Sequence, residues 1–496
     1  MKYLIGVDIG TGSTKAVALN LQYQPIAVSQ FYYPTETTKP GYSEQNPELI
    51  WDAFIKCLNE LKGKLNADPL SIGLSSAMHS LILIDEAGNP LAPMMTWADN
   101  RSAEEAKNLL ASEKGRLIYQ ATGTPIHSMS PITKLIWLKK HATELFNKSS
   151  KFISIKEYIW FKLFGTFKID YSLASATGLF NIHSLSWNTD SLILAGITPE
   201  NLSIPVQTSY QSSALIDTSQ KKLNNLNTTF VIGASDGCLA NLGSGATAKG
   251  IAAITIGTSG ALRLASPNPI FNPDGMTFNY ILDEKTFICG GPVNNGGIAL
   301  QWLLRNIFNK PELKSEDYEQ LFKDVKGTET GSKGLIFLPY LTGERAPLWD
   351  SESCGTFFGL NLQHNQKHLA RAVIEGICYA LNDVMKAVEE HTETITQINV
   401  SGGFVHSKIW MQILADITGK PIVLVLEEDA SAVGAAYLAA KATGLSHQYP
   451  SSTNTTAEII SPKLSNHQIY QRNFPIFKQL YSDLKETMHQ LYHLNL

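Results

Sequence analysis

The chain has 496 residues, too many for a single hydrophobic core, so two domains of roughly 200 to 250 residues are the natural division. Its 40 basic residues nearly balance its 44 acidic ones and no long block of one sign occurs, which argues against nucleic acid or an anionic membrane as a partner. With 44% hydrophobic and 17% charged residues it reads as an ordinary folded enzyme, and its five scattered cysteines, Cys57, Cys238, Cys289, Cys354 and Cys378, lack the CxxC spacing of a disulfide framework or a zinc site.

These cysteines read as reduced core residues of a cytoplasmic protein. Asp8 interrupts the apolar N-terminus after a few residues, and no apolar run approaches the roughly 18 residues of a membrane helix, so neither signal peptide nor span is expected.

The chain opens on an apolar strand, Tyr3 to Ile9, that enters Gly10-Thr11-Gly12-Ser13-Thr14-Lys15 and leaves through Ala16 to Leu19. A helical stretch from Pro47 to Leu61, a strand at Ile72 to Ser75, a strand at Leu81 to Asp85 and a helix from Ser102 to Leu110 follow, a mixture that implies an α/β domain. Residues Leu202 to Asn227 are rich in Ser, Gln, Thr and Asn, and the main hinge or boundary is placed between Phe230 and Gly250, giving domains 1–244 and 245–496. The second half repeats the opening device: Ile251 to Ile256 enters Gly257-Thr258-Ser259-Gly260 and leaves through Ala261 to Leu264. Its firmest helix spans His368 to His391, with apolar residues at helical spacing. Ile398 to Val400 then reads as a strand, Ser401-Gly402-Gly403 as a turn and Ser407 to Thr418 as a helix. Ala432 to Ala442 is a helix of small residues, expected to pack closely on another backbone. Ser451 to Thr456 reads as a mobile polar stretch, and Asn473 to Leu496 as a helix without an assigned role.

Two strand–turn–strand loops of Gly, Thr and Ser, one per half, suggest a clamp. Glycine lets the backbone approach an anion, and hydroxyls and exposed N–H groups donate to it, so the ligand expected is a polyphosphate such as ATP. No Gly-x-x-x-x-Gly-Lys-Ser/Thr loop is present, and the match at Gly243, Gly245 and Ala248 to a dinucleotide fingerprint follows no convincing strand. Asp8 stands at a strand end before the first loop, where a carboxylate facing phosphates needs a cation between them; a turn-capping role is the plain alternative, and the glycine-hydroxyl loop beside it favours Mg2+. Asp236, in Gly233-Ala234-Ser235-Asp236-Gly237, is either a general base for a substrate hydroxyl or a simple Asp-Gly turn. Met78-His79 and Trp97-Ala98-Asp99-Asn100-Arg101 offer the polar groups and apolar wall of a sugar site, but equally fit structural roles.

Longer stretches add a family resemblance. Met129-Ser130-Pro131-Ile132-Thr133-Lys134-Leu135-Ile136-Trp137-Leu138 resembles the first signature of the FGGY carbohydrate kinases. Gly355-Thr356-Phe357-Phe358-Gly359-Leu360, continued by His368-Leu369 and Ala372-Val373-Ile374-Glu375, resembles the second. The resemblance runs from Asp8 to about Ala440. It implies two ribonuclease-H-like α/β domains of the actin/hexokinase ATPase type, with ATP and sugar meeting in a central cleft. It further implies Asp8 and Asp236 at Mg2+, Asp236 as the general base, Gly10 to Lys15 and Gly257, Thr258 and Ser259 at the phosphates, and Gly402 and Gly403 at the adenosine.

Met78-His79-Ser80-Leu81, Thr96 to Arg101, Ser235-Asp236-Gly237 and Gly291-Pro292-Val293-Asn294-Asn295-Gly296-Gly297 look most like the gluconate kinases of that family. The resemblance thus implies ATP-dependent phosphorylation of gluconate to 6-phosphogluconate, with Met78, His79, Asp99, Arg101, Asp236, Gly237, Asn294 and Asn295 at the sugar. His79, Arg101, Asn294 and Asn295 are the candidates for its carboxylate. Xylulokinase or another ketose or polyol kinase is the nearest alternative, and an actin-like ATPase module without sugar chemistry the more distant one. The partners expected are a small sugar or sugar acid and, among proteins, at most a second copy in a homodimer.

Overall fold

The computed structural model describes residues 1–274, 276–392, 394–425, 429–449 and 458–494; the polar stretch Ser451 to Thr456 lies outside them. Two sheets organise the molecule. The first has six strands, in the order Gln211–Ser212, Thr229–Ser235, Ser71–Ser76, Tyr3–Ile9, Ser13–Asn20 and Pro25–Tyr32. The second has seven, in the order Phe278–Asp283, Thr286–Val293, Gly260–Ser266, Ile251–Ile256, Gln397–Ser401, Ile422–Leu424 and Ile459–Ile460.

The central plan is shared. In each half the first strand pairs antiparallel with the second through the Gly-Thr turn and parallel with a strand that arrives much later, Ser71–Ser76 in one half and Gln397–Ser401 in the other. A parallel partner needs a long crossover, which is why each sheet is completed far from where it starts.

Alternation along Tyr3–Ile9 sets the layers. Tyr3, Ile5, Val7 and Ile9 point into a core built with the helix Pro47–Leu65 and the helix Ile155–Phe164. Leu4 lies on the other face, and there the sheet is covered by a helix from the far end of the chain, Ala430–Ala442. The expected backbone-to-backbone packing of that helix is present. A methyl on Gly6 would lie 1.7 Å from the carbonyl oxygen of Ala432, one on Gly73 2.0 Å from that of Ala435, and one on Gly434 2.0 Å from that of Leu239. Gly243 stands equally close, 2.0 Å, to the carbonyl of Ala430. The small residues of the helix thus face the small residues of the sheet and of the helix Asp236–Gly243.

The span read as a hinge is divided by the structure. Thr229–Ser235 is a strand of the first sheet and Asp236–Gly243 a packed helix, which leaves residues 244–250 as the connection between the sheets. Gly233 is therefore a packing glycine: it has φ 70°, sits at a register shift between Val231 and Ala234, and a methyl on it would lie 1.8 Å from the carbonyl oxygen of Leu74.

The long helix of the second half runs from Gln366 to Glu389, and the C-terminal helix starts at Leu464 rather than at Asn473, passing through Pro475. The two meet through Arg371, Glu375 and Tyr470, whose hydroxyl donates to Glu375 Oε1 at 2.7 Å. All five cysteines are free, and no helix among the described residues is long and apolar enough to cross a membrane.

Candidate active site

Both Gly-Thr turns are closed by one backbone bond and then braced from outside. In the first, Gly10 N–H donates to Ser13 O at 3.0 Å, Tyr33 Oη donates to Gly10 O at 2.6 Å, and Trp97 Nε1 donates to Thr11 Oγ1 at 3.0 Å. In the second, Gly257 N–H donates to Ser259 O at 2.8 Å, while Gly297 N–H donates to Gly257 O at 2.7 Å and Ile298 N–H to Thr258 O at 3.1 Å. Outside these bonds the loops stay open: a methyl on Gly12, Gly257 or Gly403 would meet nothing within 4 Å. Gly402, by contrast, is pressed against the second hairpin, with φ 109° and a virtual methyl 2.2 Å from Ile256 O, which brings the Gly402-Gly403 turn beside the 257–259 loop. Lys15 forms an ion pair with Asp429, so its ammonium is already engaged.

Asp236 is the first residue of the helix Asp236–Gly243, which Ser235 caps. Its Oδ1 accepts from Gly237 N–H at 2.6 Å, and Ser431 Oγ donates to its carbonyl at 3.1 Å. Burial pushes the Asp236 carboxyl up and the nearby Arg263 charge opposes that rise. Asp8, held by Ser75 Oγ at 2.7 Å, is raised to about 7 by burial first and by the charge of Asp236 second. Two carboxylates that repel one another in a buried cleft fit a divalent cation between them. A pair of carboxylate oxygens suits Mg2+, which keeps water and phosphate oxygens as most of its ligands. The bare glycine loops likewise fit a polyphosphate.

A cavity of about 270 Å3 adjoins Asp236 between the halves. Met78, His79 and Trp97 line it from the first half, Arg263, Tyr280 and Arg345 from the second. His79 is held with φ 64°; Nδ1 bonds to Ala176 O at 2.8 Å and Nε2 faces Tyr280 Oη at 3.3 Å. Burial, and then the charge of Lys134, lowers its pKa to about 3, so the ring is neutral and offers no cation to a carboxylate.

The other residues placed at the sugar by sequence hold the walls instead. Arg101 bonds to Asp99 at 2.8 Å and to Glu44 at 2.5 Å, stacks over Tyr42 with its carbon 3.6 Å from the ring centre, and does not line the cavity. Asp99 is fully buried and also accepts from Ser43 N–H. Asn294 donates to Thr342 O at 3.1 Å and accepts from Arg345 Nε at 2.6 Å, and Asn295 donates to Gly343 O at 2.9 Å, so both amides are spent on the 342–345 segment. Arg101, Asn294 and Asn295 thus serve buried partners of the fold and do not line the cavity.

Three basic residues escaped the sequence reading as site residues. Lys134, fully buried on the helix Pro131–His141, donates to His79 O at 2.7 Å and Thr96 O at 2.6 Å, tying together two loops at the cavity. Arg263 and Arg345 line the cavity itself. The available signal was a single cation inside an apolar segment, as in Ala261-Leu262-Arg263-Leu264-Ala265.

Two matched α/β halves closing on one cleft, each turning a Gly-Thr hairpin towards it, place the molecule among kinases of the actin and hexokinase type of fold. Residues 3–243 match the N-terminal domain, and residues 252–443 the C-terminal domain, of the FGGY family of carbohydrate kinases, and the chain belongs to that family. It is 42% identical over 452 residues to a gluconokinase of Bacillus subtilis, covering 89% of this chain and 88% of that one. Two crystal structures from Lactobacillus acidophilus superpose with a TM-score of 0.94 at 35% identity: a gluconate kinase, covering 99% of each chain, and a ligand-bound xylulose kinase, covering 99% of this chain and all of the other.

Proposed function

We propose that the chain transfers the γ-phosphoryl group of ATP to the primary hydroxyl of gluconate, giving 6-phosphogluconate and ADP. One observation carries the reading: Asp236 opens a helix beside a sugar-sized cavity, and after burial its charge is what raises the pKa of a second carboxylate, Asp8. Kinship to gluconokinases supports the choice of substrate. Equal structural similarity to a xylulose kinase makes a ketose the second reading.

In this reading Asp236 accepts the hydroxyl proton as the oxygen attacks phosphorus, and its raised pKa makes it a stronger acceptor than an ordinary carboxylate. The loops Gly10 to Thr14 and Gly257 to Ser259 donate to the phosphate oxygens, Lys15 is released from Asp429 to join them, and Gly402 and Gly403 flank the adenosine. Asp8 and Asp236 would hold Mg2+, which would supply charge neutralisation at the polyphosphate. Met78 and His79 line the sugar pocket, Gly237 stands close behind Met78 and Arg263, and Asp99, Arg101, Asn294 and Asn295 position its walls. Residues 1–244 carry the general base and residues 245–496 the nucleotide side, and both line the sugar cavity.

Coupled ADP release with Mg-ATP and a panel of gluconate, xylulose, ribulose and glycerol tests the reading. Preference for gluconate is the expected result, preference for xylulose replaces the substrate, and ADP release indifferent to every sugar returns the chain to an ATPase role. Asp236→Asn should lower kcat by about 1000-fold with nucleotide binding retained.

A further inference from the structure

Two cationic side chains line the cavity, one of them near enough to Asp236 to oppose the rise of its pKa. Arg263 stands in the middle of Gly260–Ser266, where its cross-strand neighbours are Ala253 and Gly290. Neither neighbour has bulk beyond a methyl, so the guanidinium has room on the face of the sheet that lines the cleft. Arg345 enters the same cavity from the segment after Glu344.

Buried guanidinium groups are ordinarily matched to carboxylates. Elsewhere in this molecule they are: Arg101 pairs with Asp99 and Glu44, and Arg371 with Glu375. Among the described residues, no carboxylate lies within ion-pair distance of Arg263 or Arg345. Arg263 makes one hydrogen bond, from Nη1 to Thr255 Oγ1 at 3.4 Å. Arg345 uses Nε on Asn294 Oδ1 and Nη2 on Val293 O at 3.2 Å, which leaves its Nη1 uncommitted. These two are the cationic side chains that line the cavity among the described residues, since His79 is neutral. Asp236 and Glu344 act on the two guanidinium groups through space without touching them, so both cations line the cavity with no carboxylate in contact, and the sugar is what enters.

Gly237 belongs to the same construction. A methyl on it would lie 3.0 Å from Arg263 Nε and 3.3 Å from Met78 Cε, so a larger side chain displaces the guanidinium or the pocket wall.

We infer that Arg263, with Arg345 beside it, forms the anion-binding end of the acceptor pocket and takes the carboxylate of a sugar acid, and that glycine at position 237 keeps the Arg263 guanidinium in place. The inference deepens the proposed function and rests on it. Arg263 and Arg345 replace His79, Arg101, Asn294 and Asn295 as the carboxylate ligands. A neutral sugar of the same length leaves both guanidinium groups without a carboxylate in contact, which makes the pocket selective for acids.

The test measures KM and kcat of the full-length chain with Mg-ATP for gluconate, for glucitol, which has a hydroxymethyl group in place of the carboxylate, and for xylulose. Wild type should favour gluconate over glucitol by about 100-fold in kcat/KM. Arg263→Gln should raise KM for gluconate by about 30-fold with the KM for ATP within about threefold, and should bring the gluconate-to-glucitol ratio close to one. Gly237→Asn, which leaves the arginine in the sequence, should move KM the same way, and Arg263→Lys should recover part of the loss. Unchanged KM for gluconate in both Arg263→Gln and Gly237→Asn overturns the inference and leaves gluconate phosphorylation standing. A fall in kcat with KM unchanged also overturns it, because Arg263 then serves the reacting groups. A wild type that phosphorylates xylulose and ignores gluconate removes the functional reading and the inference together.

Discussion

The two hairpins share a strand–turn–strand plan, and one of their differences is chemical. In the first half Asp8 ends the strand and accepts from Ser75, its partner on the parallel neighbour strand; in the second half Thr255 holds the matching place, 3.3 Å from Ser401. A repeated plan therefore carries unequal chemistry. Both loops can donate to phosphate, but one half alone brings a carboxylate to the strand end. The second half spends its matching hydroxyl on Arg263 instead.

The sharpest way to break this contrast is to exchange the distinguishing residue. Asp8→Asn should lower kcat by about 100- to 1000-fold and raise the Mg2+ concentration needed for half-maximal rate, whereas Thr255→Val should cost less than about tenfold. Equal losses in steady-state assays would mean that the halves contribute alike.

Glycines separate packing from ligand approach. Gly6→Ala drives a methyl into the Ala432 carbonyl and should destabilise the fold by about 3 kcal/mol, read by urea unfolding. Gly257→Ala adds a methyl to open space in front of the second hairpin, so the midpoint should stay put while KM for ATP rises about tenfold. Lys134→Met removes a buried ammonium that ties two carbonyls and should cost about 2 kcal/mol, with a higher KM for the sugar. The smallest effect is expected at the partly exposed Lys15–Asp429 pair, where Lys15→Met should change stability by less than about 1 kcal/mol.

Local chemistry was readable in the sequence and distant pairing was not. The hairpins declare themselves because Gly, Thr and Ser must be contiguous to form a turn, and the helix Ala430–Ala442 because its small residues are consecutive. Asp236 could not be told from a turn residue by spacing, and family resemblance raised it. Arg101 looked like a sugar ligand because its partner Glu44 lies 57 residues away, in a pairing that no local pattern encodes. Arg263 was passed over for the complementary reason: its setting depends on Ala253 and Gly290, which only strand register brings beside it.

The seam of bare backbone at Gly6, Gly73, Gly243 and Gly434 also bears on how the molecule is made. Synthesis delivers the first sheet and the helix Asp236–Gly243 early, but the helix that covers them ends at Ala442, about 200 residues later, on the order of 10 to 40 seconds of elongation at 5–20 residues per second. Throughout that interval the nascent first half shows the ribosome's surroundings an uncovered apolar strip of Leu4, Val17, Leu19 and Val231. A transcript that stops before residue 430 therefore yields an unfinished first domain as well as a missing second one, and a gene split at the junction between the sheets would give two products that must find each other to fold.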